Sequence, residues 1–446
     1  MLEIICFLAI TLFCIFQDDE HKIISLFLIL LPFHTFLKNS FFYLFEGGEI
    51  FSVWKEAVIL LLAYKVFSKT HMHLNRLIFV LQLLFCLIVV FYFLAAAVHA
   101  DALPALRDHL FPAVLFFTVM AMKIDFNVVR KMILILAVSI LISDIAGFAQ
   151  YFFFNVPVAR IMDTAAYVDG SGYIHYKISS YRIMGFERMA GITGSPNIFG
   201  LFNAFSIILF FGVLLFKESF SFSVKEWRFI RIVLFLSLVS IVFSFSRAGW
   251  AIAFLGTGIM LLYKNFHIRL KYLLGSILIM LIMVLMISIL YPGAFDIISN
   301  SFSGREASAA ARGNSVLKGI RMLLDEPWGH GLGATDNRKE SVQFFVESAW
   351  MNIGYEIGLA GVFYLITVHL LVLYYLLKHA PYHALTRIAA AIAASTLVAC
   401  MVSVNPYGMP YIYLWWFLSG LGINAGLFLK YSGQGNFKPS VVKWTS

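Results

Sequence analysis

Residues 230–263 read IRIVLFLSLVSIVFSFSRAGWAIAFLGTGIMLLY, two apolar segments joined by a turn of only a few residues. Each segment, 230–245 and 248–263, is too apolar for the surface of a soluble domain. Between them sits Ser246-Arg247-Ala248-Gly249. Two apolar helices that double back through so tight a turn form a membrane hairpin. A helix needs about 20 mostly apolar residues to cross the hydrocarbon core, fewer if its ends are polar. This stretch therefore sets the fold class as an all-α polytopic membrane protein.

The same pattern extends in both directions. Apolar segments recur at 1–16, 23–37, 51–67, 77–98, 109–122, 132–154, 197–216, 272–291, 348–377, 388–404 and 411–428, which with the hairpin predicts about 12–13 transmembrane helices. The chain is 61% hydrophobic and 13% charged, against about 25% charged in a typical soluble domain. One integral membrane domain, 1–446, accounts for it. Leu2–Phe16 lacks the basic start and small-residue cleavage pattern of a signal peptide and reads as a first membrane segment. The four cysteines lie in apolar runs, without disulfide or metal-ligand spacing. No P-loop, dinucleotide fingerprint, HExxH or GxSxG occurs, which argues against an ATP-driven pump or a zinc peptidase.

The net charge of +9 is spread over many short loops. It reads as topology rather than nucleic-acid binding. Lys65, Lys69 and Arg76, then Lys123, Arg130 and Lys131, then Lys217, Lys225, Arg228 and Arg231 fall on alternate loops. Lys264, Arg269 and Lys271, then Lys378 and Arg387, then the C-terminal lysines continue the series. The positive-inside bias puts all of these in the cytoplasm, with the C-terminus. The opposite, outer face receives the 155–196 loop, the 292–347 loop, the Arg247 turn and the Asn405–Pro410 turn. Connections this long are often lids or binding loops. The segment near Asn314–Leu324 is amphipathic and is expected to lie along the outer interface.

Several residues on that face carry chemistry. Arg247 opposes the dipole of the helix it begins and lies close to lipid. It is read either as a snorkelling interface residue or as an anion ligand facing a cavity. The positive-inside bias favours the ligand. Arg312, with Arg305 and Arg321 nearby, supplies a second guanidinium suited to bidentate phosphate contacts. Lys318 and Arg321 are on neighbouring turns. Glu347 stands where the outer loop re-enters the membrane, either as a helix-capping acid or as a carboxylate facing a cavity. Glu356 lies nine residues later, on the opposite face of an ideal helix, and is an intramembrane acid. Gly194-Ser195-Pro196-Asn197 reads as a helix start, with Arg182, Glu187 and Arg188 upstream to extend an anionic-ligand site. His330, in Gly329-His330-Gly331-Leu332-Gly333, is a loop imidazole without an evident partner.

Read in order, Gly194-Ser195-Pro196-Asn197-Ile198-Phe199-Gly200, Ser246-Arg247-Ala248-Gly249, Arg312 with Pro327–Gly333, and Glu347-Ser348 leading to Glu356-Ile357-Gly358-Leu359-Ala360-Gly361 resemble the O-antigen ligase and polymerase superfamily of bacterial surface polysaccharide assembly. The resemblance covers about residues 180–365. It implies a GT-C-like fold in the bacterial cytoplasmic (inner) membrane, with the long loops periplasmic. It implies an undecaprenyl-diphosphate-linked oligosaccharide as donor, with no nucleotide sugar, metal or other cofactor. Arg247 and Arg312 match the family's two diphosphate-handling arginines. Arg188, Arg182, Asn197, Arg321, His330 and Glu356 join them as candidate substrate-binding residues. The ligase branch has a catalytic His where this chain reads Val346-Glu347-Ser348. That difference favours an O-antigen or exopolysaccharide polymerase, with Glu347 as general base and a chain-length regulator as an optional partner. The alternatives are a ligase that passes glycan to a lipid A core or a protein, and a non-enzymatic flippase. Asp144 and Lys55, inside apolar spans, are what a flippase would use.

Overall fold

The structure is a computed structural model. It describes residues 2–45, 50–69, 76–96, 99–153, 186–264, 307–335, 348–403 and 405–431, with short pieces at 167–168, 174–175 and 182–183 and the single residues 267 and 275. Its architecture is the predicted one, an all-α polytopic bundle. In chain order the helices are α1 (Leu2–Phe16), α2 (Glu20–Leu30), α3 (His34–Phe45), α4 (Trp54–Lys69), α5 (Arg76–Leu94), α6 (His99–Ala121) and α7 (Phe126–Phe153). Then come α8 (Pro196–Leu215), α9 (Val224–Phe243), α10 (Arg247–Leu261), α11 (Ala307–Asp325), α12 (Ala349–His379), α13 (Ala384–Val402) and α14 (Tyr411–Tyr431). Among the described residues, six helices or helix runs are long and apolar enough to cross a membrane: Glu20–Phe41, Ala102–Ala121, Phe126–Phe152, Pro196–Leu215, Ala349–His379 and Ala384–Met401. The expected span at 272–291 lies outside the described residues apart from Gly275.

The bundle is organised around α8. Its neighbours are α9, α10 and α13, and α14 packs on α6 and α13. Phe199, Phe202, Phe205 and Phe210 on α8 are fully buried, so this helix is apolar all round because it touches protein all round. The outer helices carry the opposite signature. Leu83, Leu87, Phe91 and Leu94 on α5 are exposed, as a lipid-facing surface requires.

Two helix ends show how local sequence sets the frame. Ser223 and Glu226 form a reciprocal capping box at the start of α9. Glu226 also receives Arg130 from the start of α7, at 2.7 and 2.8 Å. The Ser223 N–H and the Arg130 guanidinium hold the Glu226 carboxyl below the usual carboxylate range. The first helices are tied together by a buried ionic cluster, in which Glu56 accepts from Lys55 at 2.7 Å and from Arg107 of α6 at 2.8 Å. Arg107 also donates to the Ser52 carbonyl at 2.6 Å. Breaking one member of such a set leaves a buried charge uncompensated.

Two expectations are corrected. The amphipathic segment expected near Asn314–Leu324 begins earlier, at Ala307, because the alanine-rich stretch before it is itself strongly helix-forming. Arg312 is therefore a helix residue and not a loop residue. Second, α12 is not an ideal helix, since Gly358 adopts φ 74°, ψ 175° and breaks it. The 155–196 segment contains two short antiparallel ladders among its described residues, Tyr167–Val168 with Ile174–His175 and Arg182–Ile183 with Phe186–Glu187.

Candidate functional site: two helix starts and an arginine corner

Helices α8 and α10 begin side by side. Pro196 is the first residue of α8, where its missing N–H costs nothing. Ser246 caps α10, its Oγ accepting from the Gly249 N–H at 3.2 Å and donating to the Asn197 carbonyl at 3.4 Å. The two helices approach closely enough that glycine is required at both contact points. A Cβ on Gly200 would stand 2.1 Å from the Ser246 Cβ, and one on Gly249 would stand 2.6 Å from the Gly200 carbonyl oxygen. Each helix start carries a partial positive charge and outward N–H groups, so the pair is an anion-attracting surface before any side chain is counted.

Two arginines sharpen it. Arg247 is the first residue of α10 and is half-buried. Arg188 is buried behind the turn. Its Nε donates to the Ser244 carbonyl at 2.9 Å, and one Nη donates to Asn197 Oδ1 at 2.6 Å and to the Phe245 carbonyl at 3.4 Å. The backbone N–H of Met189 adds a bond to the Phe243 carbonyl at 2.9 Å. Phe245 is in the left-handed region at φ 48°, a conformation that costs of order 1 kcal/mol for a residue with a side chain and persists where its surroundings enforce it. Arg188 does the enforcing. It ties the α9–α10 turn to the start of α8 and so sets where Arg247 stands.

This leads to a prediction for Arg188. Its replacement by alanine strips the buried donors from Asn197 and two carbonyls, and is expected to cost about 3 kcal/mol or more. A thermal-unfolding midpoint lowered by several degrees checks it. Asn197→Ala removes one acceptor only and is expected to cost less.

A second cluster lies at the break in α12. Glu356 is buried and accepts from the Thr335 hydroxyl at 2.6 Å and its N–H at 3.3 Å. Its other carboxylate oxygen is 3.9 Å from His109 Nε2 of α6. The Pro327–Gly333 turn docks on the break. His330 N–H donates to the Tyr355 carbonyl at 2.8 Å, Gly331 N–H to the Glu356 carbonyl at 3.0 Å, and Leu359 N–H to the Pro327 carbonyl at 2.8 Å. Alongside lies an open apolar groove of about 510 Å³, lined by Leu84, Leu87, Phe91, Trp328 and Ile357 among others. Tyr92 donates to the Trp328 carbonyl across it at 2.7 Å. The short Asn405–Tyr407 turn packs against both α8 and α12. The Tyr407 ring meets His109 edge-on, with centroids 6.0 Å apart.

The structure thus brings Arg188, Asn197 and Arg247 together at one corner. Glu356 belongs to the second cluster, where it pins the loop through Thr335. His330 is in that cluster too, and the expectation that it lacks a partner is corrected: Nε2 is 2.9 Å from Glu326 and the ring stacks on Tyr355 at 3.9 Å. Glu326 and His330 are four residues apart, a spacing visible in the sequence, but Pro327 and Gly329 hid it. Arg321 is exposed on α11. The backbones of Arg312 and Arg182 are in α11 and in the second ladder, and their side chains lie outside what is described. Glu347 lies outside the described residues. Its neighbour Ser348 is buried and donates to the Cys400 carbonyl at 3.2 Å, and the Ala349 N–H donates to the Ser403 carbonyl at 3.2 Å. His109 and Thr335 are the residues that sequence reasoning missed, since neither sits in a motif and both matter only through Glu356.

Residues 232–366 match the family model described as O-Antigen ligase. The match runs from α9 through the Arg247 turn and α11 to the Glu356 cluster, and agrees with the superfamily that the motifs resemble. None of the curated proteins compared with the chain matches it.

Proposed function

We propose, from the O-antigen ligase match over residues 232–366 and the geometry of the arginine corner, that this chain is a membrane glycosyltransferase acting on a lipid-diphosphate-linked glycan at the outer face of the bacterial cytoplasmic membrane. The observation that carries the reading is the pair of adjoining helix starts with Arg247 at their tip. Such a site attracts a diphosphate through its N–H groups and a guanidinium fork. The sequence holds no P-loop or dinucleotide fingerprint.

In the proposed reaction the α8 and α10 starts and Arg247 bind the diphosphate, with Arg312 as a second guanidinium. A hydroxyl of the acceptor glycan attacks the anomeric carbon of the donor sugar. Glu347 takes the hydroxyl proton. The bond from the anomeric carbon to the diphosphate oxygen breaks, and its electron pair leaves with undecaprenyl diphosphate. Arg247 matters most at that moment, because charge grows on the leaving oxygen and fixed positive groups stabilise it without reorganising. Arg188 and Glu356 act as positioning residues, one for the arginine turn and one for the loop that docks on α12.

Within this class we favour the polymerase, in which the acceptor is another lipid-linked repeat unit. Glu347 in place of the ligase histidine supports it. The family model's own description supports the second reading, a ligase. One assay separates them. Purified protein is given lipid-linked repeat units, with and without a lipid A core acceptor. The polymerase reading expects a ladder of longer glycans on the carrier lipid in both reactions. Glycan found only on lipid A overturns it in favour of the ligase, and no transfer in either reaction overturns the glycosyltransferase reading. The two residues a flippase would use have separate partners, Lys55 in the Glu56–Arg107 cluster and Asp144 with Ser237, which supports the transferase reading over the flippase.

A further inference from the structure

The proposed reaction leaves the groove beside the break in α12 without a role. Its α5 wall is one helix face, since Leu84, Leu87, Ile88, Phe91 and Tyr92 fall at i, i+3, i+4, i+7 and i+8. From residue 84 to residue 92 that face runs roughly 12 Å along the helix axis. Leu84, Leu87 and Phe91 are exposed, so the groove opens sideways from the bundle, where lipid lies against the protein. The floor is Ile357 and the stretch after the break, in which Ala360 and Gly361 carry no side chain larger than a methyl group. Pro327 and Trp328 close one end, and the Tyr92 hydroxyl holds that end shut through the Trp328 carbonyl.

In the proposed orientation α5 runs outward and α12 inward, so the closed end is the outer one. Trp and Tyr at that depth suit the boundary between hydrocarbon and headgroups. The groove therefore descends from the interface into the outer leaflet. Its upper end lies beside the first stretch of α12. Ile357 is eight residues after Ala349, roughly 12 Å along the helix. A lipid with its chain in the groove thus presents its head near the start of α12, which follows Glu347, the proposed base. Helix α11 crosses above the groove, with Leu323 packed on Gly354 one turn outward of the break. Lys318 and Arg321 stand exposed on α11, against the one exposed acid at its end, Asp325. That balance favours an anionic head.

We infer that this groove holds the polyprenyl chain of the acceptor, a second lipid-linked substrate separate from the donor at the arginine corner. The inference rests on the polymerase reading, in which donor and acceptor both carry a lipid. Two sites follow from the packing. Arg247 begins α10, which lies against α8 and α13, whereas α5 lies against α6 and α12. The base has to touch the acceptor hydroxyl, and the groove shares a helix with the segment that carries the base. The donor needs the guanidinium fork and the acceptor does not, because no bond to the acceptor's diphosphate breaks.

The test is photolabelling of the full-length chain in phosphatidylglycerol nanodiscs with tritiated undecaprenyl diphosphate. The photoreactive residue p-benzoylphenylalanine is placed at Leu87 on the groove wall or, as a control, at Phe235, an exposed residue of α9. Saturable labelling is expected at Leu87 and only background labelling at Phe235. Non-saturable labelling at Leu87, or equal labelling at both positions, makes the groove an ordinary phospholipid contact and overturns the proposal. Ala360→Phe fills the floor and is expected to raise the half-saturating concentration about tenfold or more. An unaltered value overturns the proposal. Should that variant fail to fold, farnesyl diphosphate, with the same head and a much shorter chain, is the competitor; if it competes as well as unlabelled undecaprenyl diphosphate, the chain is not what binds. Labelling at Leu87 is expected to persist in Arg247→Ala, and its loss there assigns the groove to the donor and overturns the acceptor role. The readout is binding without glycan. Its failure leaves the transferase reading standing, and a missing glycan ladder removes the acceptor role but not the lipid groove.

Discussion

Replacing Arg247 with alanine is expected to lower the rate of glycan transfer by about a hundredfold to a thousandfold, the usual cost of deleting one preorganised donor aimed at a developing negative charge. The fold should tolerate the change. Arg247 is half-buried at a helix start, where its charge opposes the helix dipole, so its removal relieves an unfavourable local term. Lysine is the informative second variant. It keeps the charge and loses the planar fork, and a point charge does not reproduce bidentate contact with a diphosphate. Its rate should fall between those of alanine and the parent. Initial rates on a lipid-linked repeat unit, measured beside thermal unfolding, check both. Polymer of ordinary length and rate from Arg247→Ala would remove the residue from the mechanism.

Gly200→Ala carries the other large effect, and by a different route. One methyl group at this position meets the Ser246 side chain at 2.1 Å, a distance no packing tolerates. Helices α8 and α10 must separate, or Ser246 must leave its cap. Overpacking of this kind costs about 1–3 kcal/mol, and a lost cap adds about 1 kcal/mol. Stability and transfer should therefore fall together, whereas Arg247→Ala lowers transfer alone. Gly258→Ala is the control. It is in α10 with open space around its Cβ position, and alanine is the better helix former by about 1 kcal/mol. If Gly200→Ala unfolds no earlier than Gly258→Ala and transfers glycan as well, the close approach of the two helix starts is not what builds the site.

What was readable in the sequence follows from the range of each interaction. The hairpin around Arg247 was legible because hydropathy is a property of consecutive residues, and the α8 start because Pro196 marks it locally. Arg188 was visible only as a nearby charge. Its role depends on the Ser244 and Phe245 carbonyls more than fifty residues away, and no local pattern announces which carbonyls a turn will leave open. The break at Gly358 was hidden for a related reason. The residues on both sides are apolar, so the hydropathy profile runs straight through. The cause is the Pro327–Gly331 turn, whose backbone occupies the space a Cβ on Gly358 would need. Likewise Glu356 is held by Thr335 and His109, partners drawn from other segments that no spacing along one helix reveals.

The break in α12 also changes how that helix responds to force. An unbroken helix of 31 residues would carry a displacement from one end to the other as a rigid rod. Here both stretches are bonded to the Pro327–Gly331 turn, the first through the Tyr355 and Glu356 carbonyls and the second through the Leu359 N–H. The first is also tied to the end of α13, by Ser348 to the Cys400 carbonyl and by the Ala349 N–H to the Ser403 carbonyl. A displacement entering at the Ser348 end would therefore be shared with α13 and with the turn before it reached the long second stretch. Gly358 makes one helix into a braced elbow.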